Sequence, residues 1–535
     1  MKKTALISVF NKEGIIEFVK QLEEMDWQII ASGGTAKVLT QAGLAVKDVA
    51  FLVGGDAILG HRVVTLSREI HAGLLARDLD QDHQELEKLN IPWIDLVCVD
   101  LYPLEAEIKK EGSTKESVIE QTDIGGPTLL RSAAKGRRIV ISDPADRQLV
   151  ISWLRKDKPN REKFIDYLVS KAELLVSRYC LSSANYHSQG DNDGLIGQKV
   201  LTGKYGENPW QAPAALFSVG LNDPLTLDKF KVIAGTDPSF NNLCDIDRLL
   251  QTMTHIAAGF DLNRGRVPFM ALGVKHGNAC GAAIGNDKKE VLENMIDGDK
   301  RAIFGGLVMT NFEINREAAE TLISYAIDGD QRRLLDGIIA PSFDQGIDDF
   351  LERKGGKCRL MVNSALEELN KNSLDSVYRF RYVRGGFLRQ PNYTFILDLN
   401  DPELDKKIQA SKQEEDNLIL AWAIGSTSNS NTITLVKNGY LIGNGSGQQD
   451  RVGGCKLAVQ LRAKEAGHNV RGSVAYSDSF FPFTDGPEVL AQAGIKAILT
   501  SSGSIRDPEV IDFCQKQGII LYMIPDKKGR GFFGH

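Results

Sequence analysis

Residues 4–43 read TALISVFNKEGIIEFVKQLEEMDWQIIASGGTAKVLTQAG, and their rhythm decides the fold of what surrounds them. TALISVF is a short apolar run that suits a buried strand, and EGIIEFVKQLEEM follows with apolar residues at helical spacing. WQIIAS returns to a strand, and GTAKVLTQAG is a second helix that Gly43 can end. The alternation continues through IDLVCVDLYP (94–103), PTLLRSAAKG (127–136), with Pro127 in a first turn, and RRIVISDP (137–144). A βαβ succession of this kind predicts an open, mostly parallel, doubly wound α/β sheet over residues 1–190. Polar residues gather where each strand runs out: Asn11 and Lys12, Ser32 to Thr35, Tyr102, then Ser142 and Asp143. Open α/β sheets bind ligands beyond the carboxyl ends of their strands, so these segments could meet in one crevice. Strand ends also need turn residues, and each cluster taken alone is better read as turn chemistry.

The chain is too long, at 535 residues, for a single core. HSQGDNDGLIGQ (187–198) is rich in Gly, Asn and Asp and reads as a linker, which separates a first domain, 1–190, from a second region, 191–535. That region carries VPFMALGVKHG, the hairpin TITLVKNGYLIG with its Asn438-Gly439 turn, and a late βαβ stretch from GSVAYSDSFFPF to AILTSSG. No internal repeat of fixed period stands out. A net charge of −6 without a basic block argues against nucleic acid as the partner. The apolar run after MKK is too short for a signal peptide, and nothing approaches the roughly 18–20 apolar residues of a membrane span. Seven scattered cysteines without a C-x-x-C pair fit reduced thiols, and the expected compartment is the cytoplasm.

Two constellations could carry chemistry. Ser32-Gly33-Gly34-Thr35 sits between a strand and a helix, where backbone N–H groups and two hydroxyls could cradle a phosphate. Lys12 and Arg62 offer charge, and DIGG (123–126) is a second glycine loop before a helix. In ALGVKHGNACGAAIG (271–285), Lys275 and His276 stand side by side where Gly277 ends a strand. The plain alternative is a surface strand end, but the small apolar surroundings suit a backbone close to a ligand. There His276 could take a proton from an amine while Lys275 holds a developing oxyanion, a pairing suited to formyl or acyl transfer. His83-Gln84-Glu85 is half of a zinc-deaminase signature whose P-C-x-x-C partner is absent, so no metal is expected.

Taken in order, ASGGTAK, IHAGLLAR, LYP, DIGGPTLLRSAAK, YGENP, VKHGNACG, FGG, DGIIAP, SN, GSGQQDR, SDSFFPF and GSIRD resemble the bifunctional purine-biosynthesis enzymes that join AICAR transformylase to IMP cyclohydrolase. The resemblance implies a methylglyoxal-synthase-like first domain, followed by a transformylase region of two zinc-free, cytidine-deaminase-like subdomains. It implies formyl transfer from 10-formyltetrahydrofolate, a co-substrate, to AICAR, then closure to IMP, by a homodimer acting on small nucleotides. By the same resemblance Lys275, His276 and Asn431 are catalytic for transfer, and Tyr102, Asp123 and Lys135 for closure. Lys12, Ser32, Gly33, Gly34, Thr35 and Arg62 match nucleotide contacts. Lys204, Tyr205, Asn242, Gly305, Asp336, Gln449, Arg451, Asp478, Phe480 and Arg530 match substrate or folate contacts.

The chain departs from the family pattern at several of these motifs. Val64 stands where a Lys implicated in ring closure is usual, Ser67 where a His is, and Phe10 where a Ser is. A valine can neither bind a carbonyl nor donate a proton. In the second region Lys204 replaces an Arg, losing bidentate phosphate geometry. Trp210 replaces a His and Ser426 a Lys. Three expectations remain open: both activities, a transformylase with an impaired cyclohydrolase, and a nucleotide-binding homologue without turnover.

Overall fold

The computed structural model describes residues 2–59, 62–156, 158–329 and 331–534, which form two compact units, Met1–Gln198 and Lys199–His535. In the first, strands β1 (Thr4–Val9), β2 (Gln28–Ala31), β3 (Val46–Asp48), β4 (Leu96–Asp100) and β5 (Ile139–Ile141) make a parallel sheet ordered β3-β2-β1-β4-β5. β1 and β4 are apolar without alternation because helices cover both faces; Ala5, Leu6, Ile7, Leu96 and Val97 are fully buried. Helix Ile15–Glu24 buries Ile15, Phe18, Val19 and Leu22, the stripe that its spacing predicts. Gly43, past the end of helix Gly33–Gln41, takes the left-handed φ of 82° expected of it. The chain steps from β1 to β2 and β3 on one side and to β4 and β5 on the other. The order therefore reverses between β1 and β4, and a crevice opens beyond their carboxyl ends.

In the second unit a 12-stranded sheet is built from one succession used twice. Helix Phe240–Arg264 leads to the hairpin Phe269–Lys275/Asn278–Gly285, helix Lys288–Gly298, and the parallel strands Leu307–Thr310, Gly337–Ala340 and Arg359–Val362. Helix Lys412–Gly425 leads to the hairpin Ile433–Lys437/Tyr440–Gly445, a helix starting at Arg451, and the parallel strands Val474–Ser477, Ala497–Ser502 and Ile520–Pro525. Each half closes on an antiparallel edge strand, Lys231–Ala234 or Asp405–Lys406, and the halves join where Ala283 pairs with Tyr440. Both long helices begin in a capping box, Ser239 with Asn242 and Ser411 with Glu414.

Repetition, which no fixed period displays, is thus plain in the topology. ALGVKHGNACGAAIG (271–285) and ITLVKNGYLIGNGSG (433–447) are counterparts that share Val274/Val436, Lys275/Lys437, Gly277/Gly439, Gly281/Gly443 and Gly285/Gly447. One packing reason preserves Gly281 and Gly443: a Cβ would stand 2.1 Å from the Met295 carbonyl oxygen in one and 2.7 Å from that of Ala458 in the other. The following helix lies directly on the hairpin in both halves. Elsewhere burial constrains only the pattern of apolar residues, so the likeness of the two halves lies in topology more than in residue identity. Among the described residues no helix is long and apolar enough to cross a membrane.

Candidate functional site

The first unit's crevice is a cleft of about 790 Å³ lined by Lys12, Ser32, Gly34, Thr35, Arg62, Tyr102 and Asp123, among others. These come from separate strand ends, as the alternation predicts. Ser32 precedes helix Gly33–Gln41, its hydroxyl 3.0 Å from that of Ser8, and Thr35 Oγ1 donates to the Val9 carbonyl at 3.2 Å. A Cβ on Gly33 or Gly34 would meet nothing within 4 Å, and neither has positive φ. The fold does not demand glycine there, whereas close backbone approach of an anion to the helix N-terminus does. Gly125 and Gly126 differ, because a Cβ would strike Thr65 Oγ1 at 2.8 Å or Asp123 Oδ2 at 2.5 Å. Those two glycines are packing requirements around the carboxylate.

Asp123 Oδ1 accepts the Gly126 N–H at 2.8 Å, and Oδ2 accepts that of Tyr102 at 3.4 Å. Burial, outweighing those donors, raises its carboxyl above the ordinary range, which suits a proton donor or acceptor. Lys12 donates to the carbonyls of Val9 and Phe10, and burial lowers its ammonium's pKa. Arg62, on the exposed rim, pairs with Glu120. Val64 lines the cleft, so the position at which the resemblance expects a cation presents two methyl groups. Phe10 adds an aromatic edge, 5.5 Å from the Tyr102 ring. Ser67 has a structural role instead, accepting the Ile70 N–H at 3.2 Å as N-cap of helix Arg68–Leu75. Lys135 is not brought to the cleft. It is exposed in the last turn of helix Gly125–Lys135, roughly 15 Å along the axis from the end that holds Asp123. Asp100 and Glu120, absent from the sequence expectations, do line the cleft, and Asp100 was legible as the last residue of β4.

In the second unit Lys275 and His276 open onto a cleft of about 390 Å³ with Asn278, Asp299, Asn444, Ser446 and Arg462. His276 (φ 55°) and Gly277 (φ 72°) form the hairpin turn, and this left-handed turn lets adjacent Lys and His serve one cleft. Lys275 Nζ donates to the Phe304 carbonyl at 2.6 Å, and a Cβ on Gly305 would lie 3.8 Å from that nitrogen. Asp336 follows closely, its N–H bonded to the Gly306 carbonyl at 3.0 Å and its carboxylate 3.2 Å from Arg353.

A second cluster adjoins the loop Ser446–Gln448, with Asn431 and Gln448 exchanging backbone hydrogen bonds at 3.1 Å; Asn431, Arg451 and Asp478 are not among the residues lining the Lys275–His276 cleft. Arg451 Nη2 donates to Asn431 Oδ1 at 2.7 Å, and Nη1 donates to Ser477 Oγ at 2.9 Å and pairs with the wholly buried Asp478. Arg451 and Asp478 therefore hold Asn431 rather than standing free, while Gln449 is exposed on the adjoining loop. Asn242 closes its helix's capping box, its Oδ1 accepting the Ser239 N–H at 3.0 Å. Lys204 and Tyr205 follow the strand Gln198–Gly203, in a loop whose Glu207 carbonyl accepts from Asn241 near the start of the same helix. Phe480 and Arg530 stack at 5.7 Å, with Arg530 paired to Asp526 at 2.6 Å. Lys204, Tyr205, Phe480 and Arg530 do not line the Lys275–His276 cleft. Ser426, which stands where the family pattern has a Lys, is completely buried. Among the described residues, no three His, Cys, Asp or Glu are grouped to hold a metal ion.

A family model described as AICARFT/IMPCHase bienzyme matches residues 133–461, and one described as MGS-like domain matches 14–128. The bifunctional purine biosynthesis protein PurH of Anoxybacillus flavithermus is 35% identical over 97% of this chain and 98% of its own. PurH of Aquifex aeolicus is 34% identical over 97% and 98%. The crystal structure of ForH is 31% identical, covering 36% of this chain and 99% of its own with a TM-score of 0.32. With the relatives matched nearly end to end, the chain belongs to the AICARFT/IMPCHase bienzyme family.

Proposed function

We propose that this chain formylates AICAR in the unit 199–535 and closes the product to IMP in the unit 1–198, the two reactions that the family's name unites. The observation that carries the reading is the left-handed Lys275-His276-Gly277 turn, which presents an ammonium and an imidazole to one cleft. The AICAR amine is conjugated and weakly nucleophilic. His276 takes its proton during attack, and Lys275 stabilises the oxygen of the tetrahedral intermediate. Asn431, held by Arg451, is the third polar group of the reaction. In the first unit the open glycines at the helix N-terminus hold the nucleotide phosphate, and Asp123 with Tyr102 exchanges the protons of ring closure.

The donor is 10-formyltetrahydrofolate, the chemistry needs no metal, and the working protein is a cytoplasmic homodimer. Family membership supports these points, as the double-hairpin region supports cytidine-deaminase-like subdomains. A second reading, formyl transfer with silent cyclisation, is favoured by Val64 in the cleft. Purified protein given AICAR and 10-formyltetrahydrofolate, with products resolved chromatographically, separates the two. IMP supports the full reaction, and formyl-AICAR that closes no faster than in buffer supports the second. No formyl transfer, or transfer at an undiminished rate after His276→Ala, rejects the proposed site.

A further inference from the structure

The two halves of the second unit make one turn and tie it in one way, but with different chemistry. In the second half Asn438 and Gly439 take φ of 52° and 79°, and the Gly439 N–H donates to Asn417 Oδ1 at 2.8 Å. In the first half the Gly277 N–H donates to Asp245 Oδ1 at 2.7 Å, and the His276 N–H is directed at the same carboxylate. Asn417 and Asp245 each come from the helix that precedes their hairpin. An amide oxygen is evidently a sufficient tie. Yet the half whose turn faces the cleft carries Asp for Asn beneath the turn and His for Asn within it.

A carboxylate in that place comes at a cost. Asp245 is partly buried, and burial raises its carboxyl pKa against the pull of the two N–H groups and of His276. An amide would hold the turn without that penalty, so the charge itself needs a reason.

We propose that Asp245 is a positioning residue for His276, fixing the turn that aims the imidazole into the cleft and stabilising, by its negative charge, the imidazolium formed in the reaction. The idea rests on the reading of His276 as base. In the step concerned the amine nitrogen forms its bond to the formyl carbon and gives its proton to the imidazole. The bond from that carbon to the donor nitrogen then breaks, and the donor nitrogen receives a proton. Asp245 stays ionised and touches no substrate. The other groups near the turn are Lys275 on the hairpin, Cys244 on the helix, Asp336 before the strand Gly337–Ala340, and Asp299 and Arg462 on the cleft wall. All of them remain when Asp245 alone changes.

The test is Asp245→Asn, the residue type that the second half already accommodates, assayed with AICAR and 10-formyltetrahydrofolate across the range in which histidine titrates. The expected result is a loss of about tenfold in kcat, equivalent to about one pH unit of basicity, with KM for AICAR changed less than about threefold. The acid limb of the pH–rate profile should move to lower pH. In a His276→Ala background the same change should leave the residual rate alone. Asn417→Asp, which adds a carboxylate under the other turn, should move neither kcat nor the limb. An Asp245→Asn enzyme with unaltered kcat and limb overturns the proposal, as does a further loss in the His276→Ala background or an equal shift from Asn417→Asp. If the unmodified chain transfers no formyl group, the functional reading fails instead.

Discussion

Replacing Asp478 by Asn tests how the Asn431 cluster is held. The Asp478 side chain is 0% exposed and that of Arg451 is 11% exposed, so neither charge is screened by water. The carboxylate accepts from Thr432 N at 3.2 Å and Ser430 Oγ at 2.6 Å as well as from Arg451. An amide keeps the shape and one acceptor oxygen, but it turns the other oxygen into a donor facing donors and leaves the guanidinium buried without an anion. Breaking a buried pair on one side costs about 3–5 kcal/mol. For a unit of this size, at about 2 °C per kcal/mol, the second unit should melt roughly 6–10 °C lower. Calorimetry on the full chain measures this. Arg451→Met combined with Asp478→Asn removes both charges and should recover at least half of the loss. A single variant that loses less than about 1 kcal/mol, or a double variant no better than the single, refutes the reasoning. Formyl transfer by the single variant should also drop, because Arg451 no longer fixes Asn431.

His255 is completely buried, and desolvation lowers its pKa from 6.5 to about 4. Its neutral form therefore contributes stability that is whole above pH 6.5 and disappears as pH falls toward 4, about 3 kcal/mol in all. His255→Gln should lose less stability than the parent between neutral and acid pH in urea titrations, and equal losses would show that another group dominates. Val64→Lys restores a cation to the first cleft and should speed conversion of formyl-AICAR to IMP at least about tenfold by absorbance, equivalent to about 1.4 kcal/mol of barrier; an unchanged rate would show that Val64 does not limit closure. Gly281→Ala drives a Cβ to 2.1 Å from the Met295 carbonyl oxygen and should destabilise the second unit by about 2 kcal/mol or more, whereas unchanged melting would mean that the helix shifts freely.

The residues alone determined the parallel sheet of the first unit, because the unbroken apolar run TALISVF and the 3.6 period of EGIIEFVKQLEEM are local consequences of burial. They also determined the turn at Asn438-Gly439, the end of the strand at Gly277, and the convergence of strand ends on one cleft, which follows from topology. Only the tertiary structure decided that the turns at Gly277 and Gly439 are equivalent, since the likeness lies in register and packing and few residue identities are needed to keep it. It likewise revealed Asp245 beneath His276, a contact between residues 245 and 277 that no local pattern encodes. The family resemblance matches Arg451, Asp478 and Asn242 to substrate or folate contacts and Lys135 to the first site. In the fold the first three also have partners within the chain, and the length of one helix places Lys135 away from Asp123. A sequence specifies which groups are available, but a hydrogen bond is satisfied by whatever the fold brings within about 3 Å, and that distance is set by the whole chain.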